Sequence, residues 1–366
     1  MSQPDAAFMQ RALQLAEGAL PHCPPNPAVG CVIADAGGKV LGEGRTQAAG
    51  QAHAEIMALR DAAARGHAVR GATVYVTLEP CAHQGRTGPC CEALIAAGVA
   101  RVVAAVQDPN PRVAGQGFAR LRGAGVAVDA GLCAPQAREM NLGFFTRMTR
   151  GTPWVRTKIA CSLDGRTALP NGASRWITGE AARADGHLWR ARAGAVLTGI
   201  GTVRADDPLL DARLVPAASR QPALVIADSQ LQLPLHAKLW AVPQRQVLVY
   251  TASSDATRTQ ALTARGATVV RLPDAGGQVA LAAMLEDLAR REVNELHVEA
   301  GARLNGALLR AGLVDELLIY QAPRLLGEGA GMAALGPLTQ LAQAPEFEWR
   351  ALDRLGADLR LLARRK

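Results

Sequence analysis

One histidine, one glutamate and two cysteines could together form a metal-dependent catalytic site. His53 and Glu55 lie two residues apart, and Cys81 and Cys90 follow later in the chain. One imidazole and two thiolates supply three of the four ligands that zinc usually takes, which leaves one position for water. This pattern is typical of a catalytic zinc, because structural sites are closed by a fourth protein ligand.

Glu55 is close to a predicted zinc ligand without being needed as one. Zinc lowers the pKa of bound water to about 7, but hydrolysis of a ring amine also requires a proton for the ring and for the leaving ammonia. A carboxylate beside the metal can carry that proton. The alternative is a structural zinc with an incidental glutamate, which we disfavour because a fourth ligand is not evident. The spare donors, interpreted as bystanders, are His67, His83 and Cys91.

This segment resembles the cytidine-deaminase superfamily, whose pattern is H-x-E followed by P-C-x-x-C. The sequence departs from it in one respect, because eight residues, Ala-His-Gln-Gly-Arg-Thr-Gly-Pro, separate Cys81 from Cys90. This expanded form, with Asn26-Pro-Ala-Val-Gly30 upstream, is similar to the riboflavin-biosynthesis deaminase/reductase family. The resemblance implies that His53, Cys81 and Cys90 bind one zinc ion and that Glu55 is catalytic.

Alternating helices and strands are predicted to position these residues. With 366 residues, 49% of them apolar, the chain is long enough for two globular domains. The first half is expected to be an α/β/α sandwich of the cytidine-deaminase type. Its helices are predicted at 5–20, 52–64, 91–97 and 116–122, and its strands at 29–34, 39–45, 73–78, 101–106 and 126–130.

The second half shows a similar alternation, so we predict a second α/β unit beyond a junction at 147–153. It has no G-x-G-x-x-G dinucleotide fingerprint. The two domains are therefore expected at 1–146 and 147–366. Strands of the second half are predicted at 154–160, 195–198, 223–227, 246–250, 295–299 and 316–321, and helices at 180–192, 279–290 and 304–311.

Three segments of the second half place glycine and polar residues near predicted strand ends, where ligands of open α/β sheets bind. These segments are Lys158–Thr167, Gly199–Pro208 and Glu299–Gly306. The third runs into a predicted helix, whose first N–H groups could hold a phosphate. Each could also be an ordinary turn, and none of them alone establishes a phosphate site.

Together these segments are similar to the reductase half of the same bifunctional family, which has a dihydrofolate-reductase-like α/β fold and uses NADPH. The resemblance runs from about residue 4 to residue 326 and fades in the last forty residues. Lys158 and Asp206 are the candidates for an acid or base. The implied NADPH contacts are Ala160, Trp176, Thr202, Asp206, Ser229, Gly301, Ala302, Arg303, Leu304, Asn305, Gly306 and Ala307.

The same resemblance implies contacts to a ribose-phosphate substrate. Arginines suit a phosphate, and a carboxylate suits ribose hydroxyls or an amine. Without the resemblance, Arg190 and Arg213 could equally be solvated charges. The implied substrate contacts are Ser174, Arg190, Leu210, Arg213 and Glu299.

The charge distribution counts against a nucleic-acid-editing deaminase. The formal net charge is +8; of the 40 basic and 32 acidic residues, residues 1–146 hold 12 and 11, which leaves 28 and 21 for the rest. The deaminase half is thus nearly neutral, and aromatic residues make up only 4% of the chain, too few for an obvious base-stacking surface. We expect a small phosphorylated pyrimidine as ligand, and no nucleic acid.

Cellular location and assembly are predicted from simple features. No stretch approaches the roughly 20 apolar residues of a membrane span, and the N-terminus lacks the pattern of a signal peptide. Seven cysteines are an odd number and a poor disulfide framework. We therefore expect a cytoplasmic protein that does not bind membranes, and a homo-oligomer, either a dimer or a tetramer.

The resemblance implies two consecutive reactions in riboflavin biosynthesis. First, 2,5-diamino-6-ribosylamino-4(3H)-pyrimidinone 5′-phosphate loses its C2 amine by hydrolysis; then NADPH reduces the ribosyl group to ribityl. Two alternatives remain open. The first is a tRNA adenosine deaminase with an extra domain, and the second is a C-terminal half that binds a nucleotide without reducing anything.

Overall fold

The chain folds into two compact units, Met1–Gly151 and Thr152–Lys366. The computed structural model describes residues 3–83, 88–111, 113–213 and 220–366. Both units are α/β, which confirms the predicted fold class.

The first unit is built on a five-stranded sheet in the order β2-β1-β3-β4-β5. Strand β1 is antiparallel to both β2 and β3, whereas β3, β4 and β5 are parallel. In chain order its elements are α1 (Gln3–Glu17), β1 (Gly30–Ala34), β2 (Val40–Arg45), α2 (Ala54–Ala64), β3 (Thr73–Val76), α3 (Cys90–Ala96), β4 (Arg101–Ala104), α4 (Gln116–Gly123), β5 (Ala127–Ala130), α5 (Ala134–Met140) and α6 (Leu142–Arg150).

Two glycines of β2 allow helix α2 to pack directly on the sheet. Gly42 and Gly44 are two residues apart, so they lie on the same face of the strand. A Cβ on Gly42 would lie 2.3 Å from the Ala58 carbonyl oxygen, and a Cβ on Gly44 would lie 2.2 Å from that of Ala54. Any larger side chain would therefore push away the N-terminal half of α2, which follows His53.

The second unit is built on a nine-stranded sheet in the order β11-β10-β9-β8-β12-β6-β13-β16-β15. The strands from β11 to β13 are parallel, and β16 and β15 are antiparallel. Its elements are β6 (Trp154–Ser162), β7 (Arg166–Ala168), α7 (Glu180–Arg192), β8 (Ala195–Gly199), α8 (Ile200–Asp206), β9 (Ala223–Ala227), a 3-10 turn (Lys238–Ala241), β10 (Val247–Thr251), α9 (Ala256–Ala264), β11 (Ala267–Arg271), α10 (Leu281–Arg290), β12 (Glu295–Val298), α11 (Ala302–Arg310), β13 (Glu316–Ala322), β14 (Ala330–Gly331), a 3-10 turn (Leu341–Gln343), β15 (Phe347–Leu355) and β16 (Asp358–Arg365).

The central strands of this sheet are largely buried because helices cover both faces of a parallel sheet. All residues of β10 and β12 are buried, and so are four of the five residues of β8. Parallel strands end at a common edge, so the segments after β6, β8, β9 and β12 lie along the same edge of the sheet. The three ligand segments predicted from the sequence are all found there.

Several elements were not predicted. Helices α5 and α6 follow β5, and α6 occupies the first part of the segment 147–153 that was expected to be a junction. In the second unit, α8, α9, β11 and the C-terminal hairpin of β15 and β16 were not predicted from the sequence. The hairpin strands carry charged and apolar residues on both faces, so neither strand shows a clear alternation.

Candidate functional site

The three predicted zinc ligands of the first unit lie together. His53 Nδ1 is 3.6 Å from Cys81 Sγ and 3.4 Å from Cys90 Sγ. Among the described residues these three form the one group of histidine, cysteine or acidic side chains with metal-ligand spacing, with all ligand atoms within 4.8 Å of one another. Tetrahedral zinc with its usual bond lengths separates a nitrogen and a sulfur ligand by about 3.6 Å. The side chains therefore fit zinc.

Each ligand is positioned by a different element. His53 is the residue before α2 and has an extended backbone. Cys90 is the first residue of α3, and its backbone N–H donates to Cys81 Sγ at 3.3 Å. Cys81 lies in the loop after β3, where its carbonyl accepts from Cys91 N–H at 3.2 Å. The start of α3 is thus tied to Cys81 by two hydrogen bonds, one to its sulfur and one to its carbonyl oxygen.

Glu79 is a part of this site that the sequence analysis missed. Its buried carboxylate accepts hydrogen bonds from the backbone N–H groups of Asp108, Gly115 and Phe118 at 3.1, 3.0 and 3.2 Å. It therefore ties the loop that carries Cys81 to the loop before α4. The H-x-E and P-C patterns contain no signal for this contact, which joins residues up to 39 positions apart.

The Glu55 carboxyl group is buried beside the two cysteines and is only 4% exposed. Burial, assisted by the negative charge of Cys81, raises the pKa of Glu55 to about 7. The hydrogen bond from the Cys90 thiol lowers the pKa of Cys81 to about 4, and the same bond raises the pKa of Cys90. A carboxyl group that titrates near neutral pH can both accept and release a proton, which suits a general acid–base.

The spare donors do not join the metal group. His67 Nδ1 lies 2.8 Å from the carbonyl oxygen of Leu41, and Cys91 is buried in the hydrophobic core. His83 is exposed. Residues 84–87, in the loop between the two cysteines, lie outside the described residues.

In the second unit, Glu299 is the centre of a charged cluster. It follows β12, and its carboxylate accepts two hydrogen bonds from the Arg190 guanidinium of α7, one of them Nη2 to Oε2 at 2.9 Å. Lys158 Nζ of β6 lies 3.4 Å from the same oxygen. These positive charges hold the pKa of Glu299 well below its usual value, against the effect of burial.

The other predicted substrate residues lie beside this cluster or on nearby loops. Arg190 Nη1 donates to the carbonyl oxygen of Asp211 at 3.0 Å, and Arg213 Nη1 donates to the Asp211 carboxylate at 2.5 Å. Leu210, the residue before Asp211, is buried and has a positive φ of 52°. Ser174 is half-buried in the loop between β7 and α7.

Several predicted cofactor residues belong to the segments at the carboxyl edge of the parallel strands. Ala160 is on β6, and Ser229 follows β9 with its hydroxyl 3.1 Å from Gln278 Oε1. Thr202 of α8 lies close to the start of α11. Its Oγ1 is 3.8 Å from the position that a Cβ on Gly301 would occupy. The remaining residues of this turn, from Ala302 to Ala307 through Arg303, Leu304, Asn305 and Gly306, form the first part of α11.

Trp176 and Asp206 are the two remaining predicted cofactor residues. Trp176 is 62% exposed, and the Arg183 guanidinium lies 4.6 Å from the centre of its indole ring. Asp206 ends α8, and its carbonyl oxygen accepts from Arg175 Nη2 at 2.9 Å. The roles of these side chains remain predictions.

Known proteins match both units. Residues 153–361 match the family described as the RibD C-terminal domain, and residues 2–106 match the cytidine and deoxycytidylate deaminase zinc-binding region. Riboflavin biosynthesis protein RibD of Escherichia coli K12 is 45% identical over 97% of this chain and 98% of its own length. That of Haemophilus influenzae is 44% identical over 98% and 97%. The chain belongs to the RibD family.

Solved structures agree with this RibD assignment. Form 1 of Acinetobacter baumannii RibD has a TM-score of 0.91 and 42% identity, and covers 100% of this chain and 99% of its own. A Thermotoga maritima protein described as a diaminohydroxyphosphoribosylaminopyrimidine deaminase/5-amino-6-(5-phosphoribosylamino)uracil reductase has a TM-score of 0.87, 30% identity and 99% coverage of both chains. The predicted family and its two enzyme classes, deaminase and reductase, are confirmed.

The expectation that the RibD resemblance fades after residue 326 is wrong. The C-terminal family match continues to residue 361, and the Acinetobacter structure covers the whole chain. The reason is structural, because β16 pairs with β13 and β15 extends the same sheet. These two strands are part of the reductase fold rather than an appendage.

Replacing one ligand should weaken zinc binding. In Cys81→Ser we expect zinc affinity to fall by at least about tenfold, since even the loss of an outer hydrogen-bond partner costs that much in zinc sites. Zinc content would be measured after equilibration with a graded series of chelator. Cys133→Ser is the control, because Cys133 is a half-buried thiol outside the metal group. Equal zinc retention in both variants would contradict the assignment of Cys81.

Proposed function

We propose that the first unit hydrolyses the C2 amine of 2,5-diamino-6-ribosylamino-4(3H)-pyrimidinone 5′-phosphate. The second unit then reduces the ribosyl group of the product to ribityl with NADPH. The observation that carries this proposal is the presence of both sites in one chain: a zinc-type cluster with a buried glutamate, and a basic cluster around Glu299. The name of the Thermotoga relative, which combines the two activities, supports the same order of reactions.

In the first unit, Glu55 moves the proton. Zinc, when bound by His53, Cys81 and Cys90, supplies the Lewis acidity that lets water act as a nucleophile near neutral pH. The Glu55 carboxylate would accept one proton from the attacking water and give it to the ring nitrogen. It would then carry the second proton of the same oxygen to the C2 amine, which leaves as ammonia as the carbonyl forms at C2. Glu79 holds the loop that presents Cys81.

In the second unit, the charge balance supports a phosphorylated substrate. Lys158, Arg190 and Arg213 carry three positive charges, and Glu299 and Asp211 carry two negative ones, so the cluster has a basic excess. Arginine binds phosphate through paired N–H donors. The Glu299 carboxylate can in turn accept hydrogen bonds from ribose hydroxyl groups.

In this proposal, the segments that follow β6, β8, β9 and β12 bind NADPH. The protein's contribution to hydride transfer is mainly the orientation of the nicotinamide against the sugar carbon. The backbone N–H groups at the start of α11, which Gly301 precedes, are suited to a phosphate of the dinucleotide. Of the two predicted acid–base candidates, Lys158 lies beside Glu299, whereas Asp206 is at the end of α8. We therefore favour Lys158.

The ligands of this protein are small molecules, and we propose that it acts in the cytoplasm. No helix in the described part of the chain is long and apolar enough to cross a bilayer. We further propose that it forms a homo-oligomer. Strand β15 is at the edge of the nine-stranded sheet and exposes Trp349 by 63% and Leu352 by 66%. A second copy of this strand could pair with it and cover both side chains.

Glu55→Gln should abolish deamination without releasing zinc. We expect the rate of ammonia release to fall by about 10²–10⁴-fold, the usual contribution of a general acid–base, because an amide cannot carry the proton. Zinc content should stay at the wild-type level. The matched control is Glu43→Gln, a half-buried glutamate that is paired with Arg11 and lies outside the metal group. Near wild-type deamination by Glu55→Gln would refute the role of Glu55.

The two reactions should be separable in one purified protein. We expect one NADPH to be oxidised for each molecule of deaminated substrate. Glu55→Gln should reduce the deaminated compound normally but leave the diamino compound unreduced. Absorbance of NADPH and chromatography of the products would follow both steps. Binding of NADPH without turnover would favour the alternative of a nucleotide-binding C-terminal half.

The oligomer proposal makes a separate prediction. Light scattering after size-exclusion chromatography should give a mass of at least two chains for the wild type, and a smaller mass for Trp349→Glu, which places like charges on the edge strand. Leu341→Glu is the control, since Leu341 is 94% exposed but lies outside β15. A wild-type mass of one chain would exclude the oligomer.

A further inference from the structure

The segment from Asp207 to Arg213 connects α8 to the substrate cluster in a conformation that needs support. Asp207 and Leu210 have φ values of +41° and +52°, in the left-handed region that L-residues rarely adopt. Leu210 is nevertheless buried in a hydrophobic cluster of the second unit. Contacts from outside the segment must therefore hold its backbone in place.

Arg245 supplies such contacts from the residues just before β10. Its Nη1 donates to the carbonyl oxygens of Leu209 and Leu210 at 2.6 and 3.2 Å, and its Nη2 donates to that of Leu239 at 2.5 Å. The side chain is buried, and all its hydrogen bonds within the described residues go to carbonyl oxygens. Burial lowers the pKa of Arg245 to about 10, so the guanidinium remains charged at neutral pH.

Asp211, the next residue of the segment, is held by side chains of α7. The Asp211 carbonyl oxygen accepts from Arg190 Nη1 at 3.0 Å, and His187 Nδ1 lies 3.0 Å from the same oxygen. Arg190 also donates hydrogen bonds to the Glu299 carboxylate. Consecutive carbonyl groups therefore join Arg245 at one end to the Arg190–Glu299 pair at the other.

We propose that Arg245 is a positioning residue of the reductase site, which fixes Leu209–Asp211 so that the backbone of this segment and the Arg213 side chain face the phosphorylated sugar. The proposal rests on the proposed function, in which this segment contacts the substrate. Without the guanidinium, two buried carbonyl groups lose their donors and Leu210 is free to leave the left-handed conformation. The start of the segment has a separate anchor, because the Asp207 carboxylate accepts from Lys238 N–H at 2.8 Å. NADPH binding through α8 should therefore persist.

The test compares Arg245→Met, which keeps the length of the side chain but removes its donors, with Arg245→Lys, which keeps the charge. In Arg245→Met we expect KM for the deaminated substrate to rise at least tenfold and kcat to change less. The Kd of NADPH and the deamination rate should stay within twofold. Arg245→Lys should give an intermediate KM, because an ammonium can still donate to carbonyl oxygens.

A stability control separates positioning from general destabilisation. Leu262 is fully buried on α9 in the same hydrophobic cluster as Leu210, so Leu262→Ala should lower the melting temperature without raising KM. An unchanged KM in Arg245→Met, or an equal rise in Leu262→Ala, would overturn the proposal. If Arg245→Met does not fold, Arg245→Lys decides the question. A KM and a melting temperature equal to those of the wild type in Arg245→Lys would then overturn the proposal. Failure of the wild type to oxidise NADPH would instead reject the proposed function, and this inference with it.

Discussion

The reductase unit depends on one positive charge buried between three strands. Arg156 of β6 is only 2% exposed at its side chain, and it binds Glu295 of β12 on one side and Glu316 of β13 on the other. Breaking such a pair is costly, because it leaves a charge buried without compensation. A shift in strand register would separate these groups. The register therefore also fixes Lys158, two residues further along the same face of β6, beside Glu299.

In the deaminase unit, close backbone packing rather than a buried ion pair fixes the position of the site residues. No buried ion pair is needed where the backbones of α2 and β2 approach each other; the absence of side chains at Gly42 and Gly44 sets that distance. His53 lies where the chain enters α2, so the close packing decides where the imidazole is presented. Rigid elements hold catalytic groups better than loops do. Cys81, which lies on a loop, has the additional support of Glu79.

The residues that carry out the chemistry of the first site could be predicted from the sequence, but the residues that hold them in position could not. His53, Glu55, Cys81 and Cys90 were found because residue type and spacing carry the information, and the structure brings the three metal-binding side chains together. Glu79 could not be found in this way, since its partners are backbone groups distant in sequence. Arg245 was missed for the same reason, as its partners Leu209 and Leu210 are brought close only by the folded sheet. The predicted roles of the NADPH and substrate residues remain predictions.

If Arg190 binds the phosphate of the substrate, as we propose, its ion pair with Glu299 makes the reductase site select against small anions. Each side chain already satisfies the other, so an incoming phosphate must compete with an internal carboxylate. A free inorganic phosphate that captured Arg190 would take the guanidinium away from the buried Glu299 carboxylate and leave it with Lys158 and His297 as partners, which is unfavourable. A phosphorylated sugar avoids this loss, because its hydroxyl groups can donate to the released carboxylate. The site therefore favours a phosphorylated sugar over free phosphate, because free phosphate does not compensate for breaking the Arg190–Glu299 ion pair.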